Sequence, residues 1–320
     1  MLIYEKIVDG IFLIYSDAKF WFKCNGIVIK NKDSGNVLID CNCYYKEEIE
    51  DLLKEKTQAH YISHMHLDHT YNLHYYEELI ANIKIYCPIP EAEYLRDFDR
   101  FIRENGTLEY GLEDYFKNFG YNELGFKEIK SVIGFTPGEE FQFDNIKLKT
   151  IFTPGHSPAH TAFSIEDTSD KEKRKILFVA DIGLTKMGAW YGFKYSDLKT
   201  FRESIKRIEK VYLEDDYIIT SGHGPIIFDK QTDIFNNLLI KLDKTEEKLL
   251  NMLDPVKSRG LEDLLFKGLI FPPEVANYMK DNPNEMVPFF ENNMVMSLIK
   301  ELLDQGKIAE VGNKQWILNE

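Results

Sequence analysis

Three histidines and one aspartate lie within six residues, in the sequence HMHLDH over residues 64–69. Zinc favours imidazole nitrogen and carboxylate oxygen, and a catalytic zinc ion takes about three protein ligands and a water. Side chains of an extended chain alternate with period two, so His64 and His66 are predicted to face one ion. Asp68 and His69 follow where the chain turns into a helix, and they are predicted to face a second ion beside the first.

Three more candidate ligands stand at predicted junctions between a strand and a loop. His156 lies in the loop TPGHSP, Asp181 ends the apolar strand KILFVAD, and His223 follows the apolar strand YIIT in SGHGP. Rigid elements present catalytic groups at such junctions. The predicted metal ligands are therefore His64, His66, Asp68, His69, His156, Asp181 and His223.

This pattern resembles the metallo-β-lactamase superfamily over about residues 1–228. The HxHxDH motif of that family stands at 64–69, and His156, Asp181 and His223 match its later ligands in order and context. The segment TPGHSPAH is similar to the TPGHTPGH of glyoxalase II-like and lactonase-like members. The resemblance implies an α/β fold, a four-layer αββα sandwich with the metals at one edge.

The resemblance also implies how two divalent metal ions would be held, most simply zinc, with iron or manganese as alternatives. His64, His66 and His156 would bind the first ion, Asp68, His69 and His223 the second, and Asp181 would bridge them. Asp40, which ends the strand NVLID, looks like the buried aspartate behind the metal site in that family.

Two adjacent cations can share a hydroxide whose parent water has a strongly lowered pKa. Such a hydroxide attacks a carbonyl or phosphoryl group, and Asp68 can orient it and accept its proton. Asp68 and Asp181 are the predicted catalytic residues. The predicted function is hydrolysis of a small ester, thioester, lactone or related substrate. The alternatives are an RNA-cleaving phosphodiesterase and an iron-dependent redox enzyme of the same superfamily.

The elements that would carry this site change character along the chain. Runs rich in Ile, Val, Phe and Tyr at 2–8, 10–15, 21–30 and 35–40 predict an antiparallel meander. Helices are then predicted at about 45–56, 69–82 and 197–211. Further strands are predicted near 58–63, 83–87, 129–133, 138–143, 146–152, 161–165, 175–180 and 217–220.

Several segments near the predicted site allow two interpretations. Two amphipathic helices expected within 88–128 could form a lid or simply cover the sheet. The aromatic residues of GAWYGFKY, 188–195, could form a substrate wall or pack in the core. His160 could hydrogen bond behind the site, whereas His60 and His74 are expected to be ordinary buried histidines.

The last third of the chain is predicted to be helical. A connecting helix is expected over 229–253, and residues 254–320 are predicted to form a winged-helix-like domain, with a helix at about 286–305 before a small hairpin. Residues 254–320 hold seven basic against eleven acidic residues, which argues against nucleic-acid binding. A homodimer contact or a wall of the substrate cleft fits the apolar faces of this segment better.

The composition supports an enzyme that acts on small molecules. The formal net charge is -14, which disfavours a phosphate backbone as partner. The N-terminal residues do not follow a signal-peptide pattern and no stretch has the length of a membrane helix, so a soluble, cytoplasmic protein is expected. The four cysteines are expected to be reduced thiols.

Overall fold

The β-rich N-terminal half forms the first of two large sheets. The computed structural model describes residues 1–19, 22–31, 33–80, 83–169, 174–281 and 286–319, so the predicted strand over 21–30 and helix over 69–82 are described in part. The first sheet has the order β1-β2-β3-β4-β5-β6-β7. Its strands are β1 (Leu2–Val8), β2 (Ile11–Ser16), β3 (Gly26–Ile29), β4 (Asn36–Ile39), β5 (Thr57–Tyr61), β6 (Lys84–Pro88) and β7 (Ile133–Phe135).

Pairing within this sheet changes from antiparallel to parallel. Strands β1 to β4 pair as the predicted antiparallel meander, with Leu13 opposite Ile27 and Ile27 opposite Ile39. Strands β4 to β7 pair in parallel, because helical connections return the chain to the same end of the sheet each time. The parallel strands therefore present their carboxyl ends at one edge, where the motif at 64–69 follows β5.

The second sheet has the order β12-β11-β10-β9-β8. All its pairs are antiparallel except β11 with β12, which is parallel. Its strands are β8 (Glu140–Phe143), β9 (Ile146–Phe152), β10 (Thr161–Asp167), β11 (Lys175–Phe178) and β12 (Tyr217–Thr220). The loops after β9, β11 and β12 carry His156, Asp181 and His223, so this sheet supplies the other three predicted ligands.

Apolar side chains on both faces of the sheets produce four layers. In β3, Ile27 and Ile29 point between the two sheets, and Val28 points to the opposite face, under the helices. The helices on the outer face of the first sheet are α1 (Lys46–Leu52), α2 (Leu67–Thr70) and α3 (Leu73–Leu79). Those on the second are α7 (Leu198–Glu214), α8 (Ile234–Met252) and α11 (Met286–Asp304). The expected αββα sandwich is confirmed.

Two predicted helical stretches are more broken than expected. The single helix predicted over 69–82 divides into α2 and α3, because Asn72 bonds outside the helix: its backbone N–H donates to Asn42 Oδ1 and its amide to the Cys43 carbonyl. The segment 88–128 holds five short helical pieces instead of two helices. They are α4 (Ala92–Arg96), α5 (Phe98–Glu104), a 3₁₀ turn (Thr107–Tyr110), α6 (Glu113–Lys117) and a π turn (Asn118–Glu123).

The C-terminal segment contains the predicted long helices and hairpin, together with elements that the sequence pattern missed. Helix α8 occupies the predicted connector, and α11 precedes the hairpin of β14 (Ile308–Gly312) and β15 (Gln315–Leu318). The missed elements are β13 (Arg259–Gly260), α9 (Leu261–Leu264) and α10 (Pro273–Asp281). Strand β13 pairs with β15. The boundary near 228 stays a prediction, and α7, α8 and α11 share one apolar cluster.

Two further observations concern the cysteines and the character of the helices. All four cysteines are free and buried, as expected. Among the described residues, no helix combines the length and apolar character that crossing a membrane requires.

Candidate metal centre

The structure brings all seven predicted ligands together at one edge of the sandwich. Potential ligand atoms of His64, His66 and His156 form one group, and those of Asp68, His69, Asp181 and His223 form another; within each group the atoms lie within 4.8 Å of one another. The segments that carry them follow β5, β9, β11 and β12. The ends of these strands therefore bring side chains from distant parts of the sequence into one small volume.

The first group is a triangle of three ring nitrogens. His64 Nε2 lies 3.0 Å from His66 Nδ1 and 3.1 Å from His156 Nε2, and the latter two atoms are 2.8 Å apart. His64 and His66 thus face the same point, as period two predicts, although they present different ring nitrogens. All three rings are buried.

The outer hydrogen bonds of two of these rings direct a lone pair to the centre of the triangle. His156 Nδ1 lies 2.7 Å from the carbonyl oxygen of Trp190, which can only accept, so the single N–H of neutral His156 points outward. Ser63 Oγ donates its hydrogen to Asp40 Oδ2 and therefore accepts from His64 Nδ1 at 2.9 Å. Facing lone pairs repel each other, and a cation at their centre removes that repulsion.

The second group mixes two histidines with two carboxylates. His223 Nε2 lies 3.1 Å from Asp68 Oδ2 and 3.3 Å from Asp181 Oδ2. His69 Nε2 lies 3.3 Å from Asp181 Oδ1. Asp181 Oδ2 is also 3.6 Å from His156 Nε2 of the first group. Asp181 therefore stands between the two groups, where the family resemblance places a bridging carboxylate.

Asp40 holds the second group from behind, as the resemblance implies. It is fully buried, and its carboxylate accepts from Ser63 N at 2.7 Å, Ser63 Oγ at 2.5 Å and His69 Nδ1 at 2.9 Å. Its backbone has φ 49°, a left-handed conformation that aspartate tolerates better than most residues. The bond to Nδ1 leaves Nε2 of a neutral His69 ring as the atom that faces Asp181.

The two ligand groups differ in the pKa values of their histidines. Burial, reinforced by neighbouring histidines, holds the pKa of His64 and of His66 well below the usual value. Burial also opposes protonation of His69 and His223, but the surrounding acidic groups, Asp181 among them, outweigh it and raise both pKa values well above the usual value. The first group therefore favours neutral imidazoles, and the second favours a positive charge among its carboxylates.

Two features of the second group suit a cation. His69 Nε2 and Asp181 Oδ1 are buried and face each other at 3.3 Å, and neither makes a well-aligned hydrogen bond with any described residue, so both atoms are available to a cation. Gly222 permits this arrangement, because a Cβ there would lie 2.5 Å from Asp181 Oδ1. Mixed imidazole and carboxylate donors of this kind fit zinc, iron or manganese.

Two buried residues position the loops that carry the ligands. His160 Nε2 accepts from the backbone N–H of Asp181 at 3.0 Å, so its predicted supporting role is present in the structure. Glu91 was not singled out in the sequence. Its carboxylate accepts from Met65 N at 2.7 Å, and from Ser157 Oγ and Ala159 N at 2.6 Å each. Glu91 thereby joins the 64–69 segment to the loop of His156.

The aromatic segment 188–195 packs in the core and also contacts the first ligand group, while its role as a substrate wall stays a prediction. Tyr191 and Phe193 are buried in the apolar clusters, which is core packing. The Trp190 carbonyl bonds His156, and Tyr195 Oη lies 2.7 Å from His66 Nε2, so the segment also lines the first group. His60 and His74 are buried away from the ligand groups; His60 accepts from the Cys41 N–H at 3.0 Å.

The candidate centre opens on the side of the second group. The His223 side chain is 31% exposed, and those of Asp68 and Asp181 are 16% and 11% exposed. The five helical pieces of 88–128 lie on the other side, since Phe101 and Phe116 pack against Phe193. The opening therefore lies beside His223 and Asp68.

Comparison with known proteins agrees with this geometry. A sequence model described as the metallo-beta-lactamase superfamily matches residues 20–223, a span that contains all seven predicted ligands. A protein named Glyoxylase B2 from Dictyostelium discoideum is 27% identical over 161 residues, which are 48% of this chain and 48% of that relative. The chain therefore aligns with about half the length of that protein.

Solved structures extend the likeness of fold to nearly the whole chain. A metallo-beta-lactamase family protein from Thermus thermophilus superimposes with a TM-score of 0.72 at 18% identity, covering 98% of this chain and 100% of that one. A beta-lactamase domain protein from Burkholderia ambifaria gives 0.70 at 14% identity, covering 99% and 95%. The shared architecture thus includes the C-terminal helices and hairpin.

Proposed function

Because the chain belongs to the metallo-beta-lactamase superfamily, we propose that it is a hydrolase that binds two divalent metal ions through the seven converging side chains. The observation that carries the proposal is the pair of adjacent ligand groups joined by Asp181. Its carboxylate oxygens lie 3.3 Å from His69 and His223 and 3.6 Å from His156. Bound ions would activate water and polarise the electrophilic group of the substrate.

The residues of the chain then have distinct tasks. Asp68 is suited to accept the proton of the attacking water and to return it to the leaving group, because its carboxylate is partly exposed beside the opening. Its backbone is fixed by Asn42, whose amide donates to the Asp68 carbonyl at 2.6 Å. Asp181 would hold the two ligand groups at a constant separation, and Asp40 would keep His69 oriented.

We propose a small ester or thioester as the substrate, with a lactone as a near relative. Two observations support this class: the TPGHSPAH segment, and the 27% identity with a protein that bears the name Glyoxylase B2. The net charge of -14 disfavours long polyanionic substrates. An RNA-cleaving phosphodiesterase and an iron-dependent redox enzyme are the rival outcomes that the assays must separate.

The test combines metal analysis with a substrate screen. Elemental analysis of the purified chain should give two ions per molecule, and a panel of esters, thioesters, lactones, phosphodiesters and RNA should show turnover of a member of the first three classes. Chelation should abolish that turnover and metal should restore it. Asp216→Ala is a suitable control, because Asp216 lies just before β12, at the end of that strand remote from His223, and is 59% exposed.

A finding of one ion or none, or turnover of RNA alone, would contradict the proposal. Turnover that requires iron and consumes oxygen would point to the redox alternative instead.

A further inference from the structure

The histidines of the first ligand group do not all have the same kind of outer partner. His156 faces a carbonyl oxygen, and His64 faces a serine hydroxyl whose hydrogen is already used by Asp40. Both partners can only accept. His66 Nε2 instead faces the hydroxyl of Tyr195 at 2.7 Å, and a phenol hydroxyl can donate or accept. Which nitrogen of His66 carries its proton therefore depends on Tyr195.

We propose that Tyr195 is a positioning residue of the first metal site, whose hydroxyl oxygen accepts the Nε2–H of His66 and so leaves Nδ1 as the ligand nitrogen. This inference rests on the proposed metal binding. A neutral imidazole has one N–H, and His66 Nδ1 is the atom that lies 2.8 Å and 3.0 Å from the other two ring nitrogens. A metal ligand at Nδ1 requires the proton on Nε2, which then needs a buried acceptor.

Tyr195 is itself held by an aromatic stack. Its ring lies 5.3 Å from Phe193 at an interplanar angle of 28°, and 6.4 Å from Tyr94 at 18°. The His66 ring lies 6.1 Å from the Tyr195 ring at 26°. Tyr94 belongs to α4, so the helical pieces of 88–128 reach the metal site through this stack. The stack fixes the direction of the Tyr195 hydroxyl, and the hydrogen bond to that hydroxyl fixes the position of the His66 proton.

The neighbouring tyrosine provides a matched control. Tyr94 donates its hydroxyl to Glu104 Oε2 at 2.6 Å, and Glu104 belongs to neither ligand group. Tyr195→Phe and Tyr94→Phe therefore remove the same atom from two rings of one stack. Only the first removal takes the acceptor from His66. Glu104 is part-exposed, so it can bind water when the Tyr94 hydroxyl is removed. If removing a hydroxyl merely loosened the stack, both variants would be affected alike.

The experiment measures zinc affinity and the position of the His66 proton in the full-length chain. Competition with a chelator should show one of two zinc sites weakened about 10- to 100-fold in Tyr195→Phe, the size typical of losing an outer-shell partner. The other site and the Tyr94→Phe variant should stay within about twofold of the unsubstituted chain. In the zinc-loaded protein, ¹⁵N-resolved NMR should detect a protected Nε2–H of His66 that Tyr195→Phe loses to rapid solvent exchange.

Zinc affinities equal in the two variants, or a protected Nε2–H that survives in Tyr195→Phe, would overturn the inference. Zinc binding by the unsubstituted chain without turnover of any substrate would refute the proposed hydrolysis alone and leave the role of Tyr195 standing. An unsubstituted chain that binds no zinc would overturn both.

Discussion

The substitution Asp40→Asn is a stringent test of how the second ligand group is built. Asn has the same shape as Asp and tolerates the left-handed backbone at φ 49°, so the substitution changes little besides the charge and one acceptor. In the unsubstituted chain the carboxylate accepts three hydrogen bonds, two from Ser63 and one from His69 Nδ1. An amide has one oxygen and one NH₂ group, so it cannot reproduce all three.

The less costly orientation of the amide keeps its oxygen on the Ser63 N–H, because the reverse orientation would set two donors against each other. The NH₂ group then takes the place of Oδ2 and donates towards both Ser63 Oγ and His69 Nδ1, so Ser63 must direct its own hydrogen to His64 Nδ1. His69 must present a lone pair there, which moves its proton to Nε2, the atom that faces Asp181 at 3.3 Å. A protonated Nε2 cannot bind a metal, so His69 is lost as a ligand.

The expected size follows from the bond that is lost. A hydrogen bond to a charged acceptor contributes about 1.5–3 kcal/mol, which corresponds to roughly 10- to 150-fold in an equilibrium constant. We therefore expect the second zinc ion to bind about 10- to 150-fold more weakly in Asp40→Asn, as measured by chelator competition. The first site should weaken as well, because a hydrogen bond from Ser63 to His64 Nδ1 moves the His64 proton to its ligand nitrogen. Hydrolysis should fall in proportion at limiting zinc and recover in part at saturating zinc.

Asp144→Asn is the matched control. Asp144 also has φ 49°, and its carboxylate accepts from Ser34 and Asn31, remote from the ligand groups. This variant should bind zinc as the unsubstituted chain does. Two zinc ions bound by Asp40→Asn with affinities within about threefold of the unsubstituted values would refute the reasoning about the His69 proton.

The same geometry leads to three further predictions. Asp68→Ala and Asp181→Ala should each abolish hydrolysis while circular dichroism shows an intact fold. The reason is that both side chains face the ligand groups and not the core. Near-normal turnover of any substrate by either variant would refute their assigned roles. Zinc affinity should fall as the pH falls, by about tenfold per pH unit for each proton displaced. The raised pKa values of His69 and His223 mean that these rings hold protons which zinc must expel. Calorimetric titrations of zinc binding at several pH values would detect this dependence, and an affinity that does not change with pH would contradict it. The full chain should not bind RNA or DNA at submicromolar concentration, since residues 254–320 hold seven basic against eleven acidic residues. A salt-sensitive complex in a filter-binding assay would favour the phosphodiesterase alternative.

The C-terminal helix α11 packs against the aromatic segment 188–195 and against α7. Phe290 of α11 lies 4.8 Å from Trp190, the residue whose carbonyl bonds His156. Arg202 of α7 pairs with Glu301 of α11 at 3.1 Å and with Glu246 of α8 at 3.2 Å. Through these contacts α11 backs the aromatic segment beside the first ligand group, and the interpretation of the C-terminal segment as a homodimer contact or a wall of the substrate cleft stays a prediction.

The seven candidate ligands could be predicted from the sequence because the signal is local. Imidazole and carboxylate groups at 64, 66, 68 and 69, and single ligands placed directly after apolar runs, carry their meaning in short windows. Strand periodicity in the sequence predicted that these groups lie at the ends of strands. In the structure, the parallel pairing of β4 to β7 and of β11 with β12 sets those strand ends at one edge. Residue type and spacing therefore predicted the seven candidate ligands, and the family resemblance carried by those residues implied the αββα fold.

Only the tertiary structure decided which atoms surround those ligands. The outer partners of His66 and His156 lie 129 and 34 residues away along the chain, and one of them is a backbone carbonyl that any residue type could supply. Glu91 joins two loops from a helical segment whose sequence resembles an ordinary amphipathic surface. The break at Asn72 likewise depends on carbonyls of a loop about thirty residues earlier. Hydrogen bonds of this kind depend on distances set by long-range packing, and a local pattern contains no information about those distances.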